Sequence, residues 1–388
     1  MQRRLGNAPI PAPVRGVLSK LRDARHEAWL VGGCVRDLLR DVATSDFDVT
    51  TDARAEELVA VFPRAVPIGI RHGTVMVPTS AGPVDVTTFR GATLSEDLAH
   101  RDFTVNAIAW DPGSGTLVDP NDGVRDLERG MLRAVGDAAA RFAEDPLRTL
   151  RAARLVATLG LMPDAALETC MREARPALRG VARERVRHEL EALAQGPAVA
   201  RGIALLRASG IEADLFPNAA ADAGEVAQRL PPDLVLRLAA WLRRTHAESL
   251  LGRQRFPKRI AAAVGHLVAL HPIDARPLRG DADVRRLLRR AGPDGIDALL
   301  ALREAESGAP LTALRDRIDR VRQAEAMLGR PDLALDGAAV MKLLGCPPGP
   351  EVGAALRHLH ECVLEDPTCN TEAALGEELQ RWRSQPKP

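Results

Sequence analysis

Apolar positions fall into two rhythms along this chain. Up to about residue 135 they form short strand-like runs, Trp29 to Val31, Phe47 to Thr50, Thr74 to Val77, Val84 to Phe89 and Val105 to Trp110, with helical stretches such as Glu56 to Phe62 between them. From Asp145 onward they recur at helical spacing, first at Leu147, Leu150, Ala153, Val156 and Ala157, then at Val186, Leu190 and Leu193, and no convincing strand follows. The pattern predicts a compact head of helices and strands over residues 1–140 and a helical remainder. Proline- and glycine-bearing breaks near Phe216-Pro217-Asn218, Pro231-Pro232, His271-Pro272 and Pro347-Pro348-Gly349 divide that remainder. We place a neck at 141–215, a body at 216–330 and a tail at 331–388.

Two carboxylates stand out within the head. Asp46 and Asp48 lie one residue apart in Thr44-Ser-Asp-Phe-Asp-Val-Thr-Thr51. In an extended strand residues i and i+2 share a face, so both side chains can grip one pair of hard cations. Val84-Asp85-Val86-Thr87-Thr88-Phe89-Arg90 alternates like a half-buried strand, which puts Asp85, Thr87 and Phe89 on one face and lets Asp85 join from a neighbouring strand. Upstream, Trp29-Leu30-Val31 runs into the Gly32-Gly33 turn, and a helix is expected from Cys34 to Arg40. Its first N–H groups, with Arg36 beside them, can face a triphosphate. Phosphate on one side and metal on the other is what metal-dependent nucleotidyl transfer needs: one cation acidifies the attacking 3′-hydroxyl while the other holds the triphosphate. Taken alone, Asp-x-Asp is also an Asx-type turn or a strand-end cap.

Composition narrows the class. The chain has 388 residues with 46% apolar content, enough for more than one core, and no window resembles a membrane span or signal peptide. A cytoplasmic protein is expected. The cysteines, Cys34, Cys170, Cys346, Cys362 and Cys369, are odd in number and lack CxxC spacing, which argues against a disulfide framework and against a zinc site. A formal net charge of +1 gives no global attraction to nucleic acid, so an RNA surface must be a local patch. One is visible between Arg253 and Arg290, where ten basic residues face three acids. Its leading members are Arg253, Arg255, Lys258, Arg259, Arg285, Arg286 and Arg289. The same run also reads as a solvated helix face.

The ordered motifs LVGGCVRDLL (Leu30 to Leu39), SDFDVTT (Ser45 to Thr51), RHGTV (Arg71 to Val75), VDVTTFR (Val84 to Arg90), HRDFTVNAIA (His100 to Ala109), DPNDGVRDLERGMLR (Asp119 to Arg133), AEDPLRTLRAARL (Ala143 to Leu155) and ERVRHEL (Glu184 to Leu190) span most of the chain. Later, LLGCPPGPEVGAAL (Leu343 to Leu356) and EDPTCNTEAAL (Glu365 to Leu375) continue the series. Together they resemble the bacterial class II tRNA nucleotidyltransferases, the CCA-adding enzyme and poly(A) polymerase family of the polymerase-β-like superfamily. The resemblance implies an α+β fold, a small mixed-sheet head followed by an all-α neck, body and tail. It implies Mg2+ at Asp46, Asp48 and Asp85, and nucleotide contacts from Gly32, Gly33, Arg36, Arg101, Asp102, Asn106, Arg151 and Arg154. Asp145 and Arg148 would select the base. Cytosine and adenine both offer an amine donor beside a ring-nitrogen acceptor, which a carboxylate and a guanidinium can match. Asp145 before Pro146 is also a plain helix N-cap.

Two departures from the family pattern carry weight. Only Gly91 to Glu96 separates Arg90 from Asp97-Leu98, where members that build the whole CCA end carry a longer insert. The shortened loop points to an enzyme that adds CC from CTP and leaves the final A to a separate A-adding enzyme. His100 stands where the family usually has arginine. Alternatives are a complete CCA-adding enzyme using CTP and ATP, a poly(A) polymerase of the same family, and, from another class, a noncatalytic RNA-binding protein. The tRNA acceptor end is the expected partner.

Overall fold

The computed structural model describes residues 5–6, 8–69, 73–275, 277–292, 295–328 and 332–384. Arg71 and His72 of the RHGTV run lie outside them. The chain forms two compact units, Met1–Gln228 with Pro232–Leu234 and Leu250–Phe256, and Arg229–Pro231 with Val235–Ser249 and Pro257–Pro388.

The first unit begins with α1 (Ala12–Asp23), β1 (Ala28–Val31), α2 (Gly33–Leu39), β2 (Phe47–Thr51), α3 (Ala55–Val61), β3 (Val66–Gly69), β4 (Thr74–Thr79), β5 (Gly82–Thr88) and α4 (Leu94–Ala99). A 3-10 turn (Thr104–Asn106), β6 (Ala109–Trp110), β7 (Leu117–Val118), α5 (Gly123–Arg129), β8 (Met131–Leu132), α6 (Ala138–Glu144), α7 (Leu147–Leu159) and β9 (Met162–Pro163) follow. Helices α8 (Ala165–Ala174), α9 (Arg183–Gln195), α10 (Val199–Ala208), α11 (Ile211–Leu215) and α12 (Ala223–Gln228) complete it.

Seven strands make one mixed sheet in the order β3-β4-β5-β2-β1-β6-β7. Among the described residues its single parallel pair is β2 with β5, where Phe47 faces Val84, Asp48 faces Asp85 and Val49 faces Val86. The alternation has a plain cause. Phe47, Val49, Val84 and Val86 are buried on the core face, so Asp48 and Asp85 project to the other. Nine of the thirteen residues of α7 are buried, which makes it the central helix of the unit. It packs on α9 and α10.

Two expectations change. The run Val105 to Trp110 is not one strand: a 3-10 turn occupies Thr104–Asn106 and only Ala109–Trp110 pairs. Asp102 accounts for this, since its Oδ1 accepts from the Phe103 N–H at 2.8 Å and Asn106 Nδ2 at 3.2 Å, local bonds that compete with a strand ladder. A strand also follows Asp145, because Met162–Pro163 pairs in parallel with β8. Two residues are too few to show a period.

The remaining elements are helices: α13 (Leu234–Leu242), α14 (Ala247–Arg253), α15 (Lys258–Leu270), α16 (Asp281–Ala291), α17 (Gly295–Ser307), α18 (Thr312–Leu328), α19 (Gly337–Leu344), α20 (Pro350–Glu365), a 3-10 segment (Pro367–Cys369) and α21 (Glu372–Ser384). In the second unit Glu306 ties Arg243 Nε at 3.0 Å to His271 Nε2 at 2.9 Å. Further along, Val340, Leu344, Val352, Ala355, Leu359, Leu375 and Leu379 form an apolar cluster between α19, α20 and α21. All five cysteines are free thiols. No described helix is long and apolar enough to cross a membrane.

Candidate active site

The site assembles where β1 ends. Val31 pairs with Asp48 across the antiparallel β1–β2 ladder, and Gly32 follows with φ +79° and ψ −134°, a conformation that residues with a Cβ rarely adopt. A Cβ there would also stand 3.2 Å from Arg101 Nη1 and 3.5 Å from Asp48 Oδ2. The glycine therefore lets turn backbone, guanidinium and carboxylate meet. Gly33 opens α2, one turn ahead of Arg36.

Asp48 and Asp85 sit side by side on the parallel pair, and Asp46 lies one residue before β2 begins. Burial and the negative charge of Asp46 push the Asp48 carboxyl up to about 6, with Asp85 adding to the rise and Arg101 opposing it. Burial and then Asp46 likewise raise Asp85. Their ligand oxygens do not all come within 4.8 Å of one another, a closeness that among the described residues only a cluster in the second unit reaches. The expected trio is thus an open set, as repulsion between like charges favours. It fits a hard divalent cation, since it offers oxygens alone and a positive ion would reverse the repulsion that raises Asp48. Buried Cys34 beneath it is pushed up to about 12 by burial and by Asp48, an inert thiol.

A chain of polar contacts frames the carboxylates. Arg36 makes two 2.9 Å bonds to Asp37, and its Nη1 donates to Asn106 Oδ1 at 2.6 Å. Asn106 in turn holds Asp102, whose Oδ2 lies 3.3 Å from Arg151 Nε. Burial alone would raise Asp102, yet Arg151, the Asn106 amide and the Phe103 N–H outweigh it and hold the carboxyl below its usual range. Arg151 is raised, chiefly by Asp102. Arg101 is the exception to this pairing. Its Nη2 makes a long 3.4 Å contact with Asp97, while its buried Nε has no hydrogen-bond partner among the described residues. Buried donors are rarely left so, and the same guanidinium presents its Nη1 beside Gly32.

The base-selecting pair is not a contact pair here. Asp145 has an extended backbone, φ −145° and ψ 101°, so its side chain does not lie over Arg148 as helix spacing suggests. Its Oδ1 accepts from the Leu147 N–H at 3.1 Å, a capping bond, and its Oδ2 accepts from Arg185 Nη2 at 2.7 Å. Arg148 is 8% exposed and donates to Glu144 Oε2 at 2.7 Å, the Arg141 carbonyl at 3.1 Å and the His100 carbonyl at 3.3 Å. His100 thus contributes its backbone, which Arg90 Nη1 also reaches at 3.3 Å. Arg154 is paired with Glu189 of α9.

Sequence reasoning missed Asp97, Glu144, Arg185 and Glu189. Asp97, only 2% exposed, accepts from the Thr50 hydroxyl at 3.0 Å and the Arg90 N–H at 3.1 Å besides meeting Arg101. Glu144 lies one helical turn before Arg148, and Arg185 and Glu189 fall inside the ERVRHEL run. Those spacings were the available signal. The basic set is divided between the two units. Arg253 and Arg255 are exposed in the first unit, whereas Lys258, Arg259, Arg285, Arg286 and Arg289 belong to the second. Arg285 Nη1 caps the end of α20, donating to the Leu364 carbonyl at 2.9 Å, and Arg286 pairs with Glu361 at 2.9 Å and with Glu365. Lys258, Arg259 and Arg289 are exposed.

Residues 28–133 match the poly A polymerase head domain, and residues 160–222 match the probable RNA and SrmB-binding site of polymerase A. The CCA-adding enzyme of Geobacillus stearothermophilus is 32% identical over 376 residues, 90% of this chain and 91% of the relative. A crystal structure of the Bacillus stearothermophilus CCA-adding enzyme in complex with CTP superposes with a TM-score of 0.80 at 30% identity, covering 96% of this chain and 98% of that one. The Thermotoga maritima CCA-adding enzyme complexed with tRNA-CCA shares the fold, at TM-score 0.70, 20% identity and 98% coverage of both chains. With a relative 32% identical over 90% of this chain, the chain belongs to the poly(A) polymerase and CCA-adding enzyme family of nucleotidyltransferases.

Proposed function

We propose that this template-independent nucleotidyltransferase adds cytidine to the 3′ end of tRNA from CTP, releases pyrophosphate, and stops at CC. The observation that carries the reaction is the register of Asp48 with Asp85 beside Gly32 and the unpartnered Arg101 Nε. Enzymes of this family depend on a divalent metal, and we infer magnesium. Asp46, Asp48 and Asp85 would hold it, and when bound it supplies charge neutralisation of the triphosphate and acidifies the attacking 3′-hydroxyl. The chain's own groups do the rest. Gly32 and Gly33 bring backbone close to the phosphates, and Arg101 offers its free Nε to a phosphate oxygen. The Arg36–Asn106–Asp102–Arg151 chain fixes the walls that surround sugar and phosphate.

For base choice, we infer that Asp145 and Arg148 turn from their present partners to the Watson–Crick edge of the base. Asp145 gives up Arg185, a pair 31% and 55% exposed and therefore inexpensive to break. A base with the reversed donor and acceptor order would leave both groups unpaired. The CC reading rests on the short segment after Arg90. Thr93 already caps α4, and the Ala92 N–H is held by Glu96 Oε2 at 2.6 Å, so the segment is pinned. A full CCA product is the second reading, favoured by the names of the relatives; a CC product would require a separate A-adding enzyme. The tRNA would be gripped through its backbone by arginines. Of the basic set, Arg253, Arg255, Lys258, Arg259 and Arg289 suit that role better than Arg285 and Arg286, whose guanidiniums already hold α20.

Three measurements test these assignments. A tRNA lacking its last three nucleotides is offered labelled CTP and ATP, separately and together. Extension by two cytidines and no adenosine is expected, and Asp48→Ala should abolish extension while tRNA binding persists. Extension by CCA refutes the CC reading, and an active Asp48→Ala refutes the metal site. Replacing Asp145 and Arg148 together by Ala should lower C-over-U preference by at least tenfold; unchanged preference would make the pair structural. Finally, Asp48 is raised in the folded state from 3.8 to about 6, so the folded protein binds the extra proton and stability falls as pH rises through that window. Asp48→Asn removes the penalty, and without divalent ions it should be more stable than wild type at pH 7.5 by at most about 3 kcal/mol, the gain closing toward pH 4. An equal difference at both pH values would mean that the charge at this position is not under strain.

A further inference from the structure

A second cluster of ligand-type side chains lies in the tail, made of residues given no role above. Helix α20 presents His358 and Cys362 one turn apart on one face, and α21 brings Glu378 across to them. His358 Nε2 stands 2.9 Å from Glu378 Oε1 and 3.6 Å from Cys362 Sγ. One ligand atom of each lies within 4.8 Å of the other two, all three half-buried, and no other His, Cys, Asp and Glu set among the described residues does this. Zinc–sulfur and zinc–nitrogen bonds of about 2.3 Å and 2.0–2.1 Å set a tetrahedral sulfur-to-nitrogen edge of about 3.6 Å. That edge is already present between Cys362 and His358. The Glu378 oxygen, 2.9 Å from Nε2 and within 4.8 Å of Sγ, retreats from the nitrogen by about 0.5 Å to reach a tetrahedral edge.

The surroundings also orient these groups. The Trp382 ring stacks on the His358 imidazole, with centroids 6.0 Å apart and planes at 26°. Arg381 Nη1 holds the second oxygen of Glu378 at 2.9 Å, so the carboxylate is steered by an outer partner as metal ligands commonly are. We propose that His358, Cys362 and Glu378 bind one zinc ion that ties α20 to α21, with water in the fourth position. A thiolate and an imidazole select zinc over magnesium, which keeps the site chemically separate from the all-oxygen set of the head. Binding releases the Cys362 thiol proton to solvent. Linear motif reading argued against zinc because it looks for paired cysteines, whereas here helical spacing supplies two ligands and the next helix the third.

The test uses the full chain, reduced and stripped with chelator, then titrated with Co2+ in magnesium-free buffer. One equivalent should produce a near-ultraviolet thiolate-to-cobalt band and the intense visible bands of a tetrahedral site, quench Trp382 fluorescence, and be displaced by Zn2+. Cys362→Ser should lose the thiolate band, Glu378→Gln should weaken Co2+ binding at least tenfold, and Asp48→Asn should leave the bands intact. Absence of the band at one equivalent of wild-type protein overturns the proposal. So does a band that survives in Cys362→Ser with an unchanged circular dichroism spectrum.

Discussion

Three carboxylates in one another's field are the constraint around which the head is built. In water such a set would separate, but the parallel register of β2 and β5 fixes Asp48 beside Asp85, and the chain entering β2 keeps Asp46 close. The cost appears as the upward shift of Asp48, driven first by burial and then by Asp46. A fold gains nothing structural from that arrangement, because burying a charge among like charges is unfavourable unless something positive compensates it. Perturbed groups of this kind cluster at functional sites. The family's dependence on a divalent metal supplies the reason for retaining them.

The positive groups around the carboxylates fall into two kinds. Arg36, Arg148, Arg151 and Arg154 are committed to Asp37 and Asn106, to Glu144, to Asp102 and to Glu189. In this structure each is held by protein partners. Arg101 differs, held loosely by Asp97 and with a buried donor unused. Asp97 thereby links the sheet, through Thr50, to Arg101. Preorganisation of this sort lowers the ordering cost when substrate binds.

What could be read in the chain followed the range of the interaction. The carboxylate face was legible because strand alternation is local: Val84 and Val86 inward leaves Asp85 outward whatever strand lies beside it. The neighbouring strand for Asp85 was expected and is β2, but its parallel direction was not legible, since β3 and β4 intervene in sequence. At Asp145 the capping alternative is the one seen, its extended backbone placing it before the helix that carries Arg148 and its Oδ1 accepting from the Leu147 N–H. Asp97 carries no motif of its own, and Arg185 and Glu189, though inside the ERVRHEL run, show their roles only through their partners Asp145 and Arg154. The 3-10 turn at Thr104 was hidden because Asp102 and Asn106 compete with an otherwise strand-like run. The His358 cluster was obscured in the same way, its third ligand lying on a different helix.

The most direct measurement is anomalous diffraction from crystals grown with Mn2+ and a non-hydrolysable CTP analogue. Manganese peaks coordinated by Asp46, Asp48 and Asp85, with the triphosphate against Gly32 and Arg101 Nε, are the expected result. Nucleotide bound with manganese elsewhere, and these carboxylates still apart, would contradict the account.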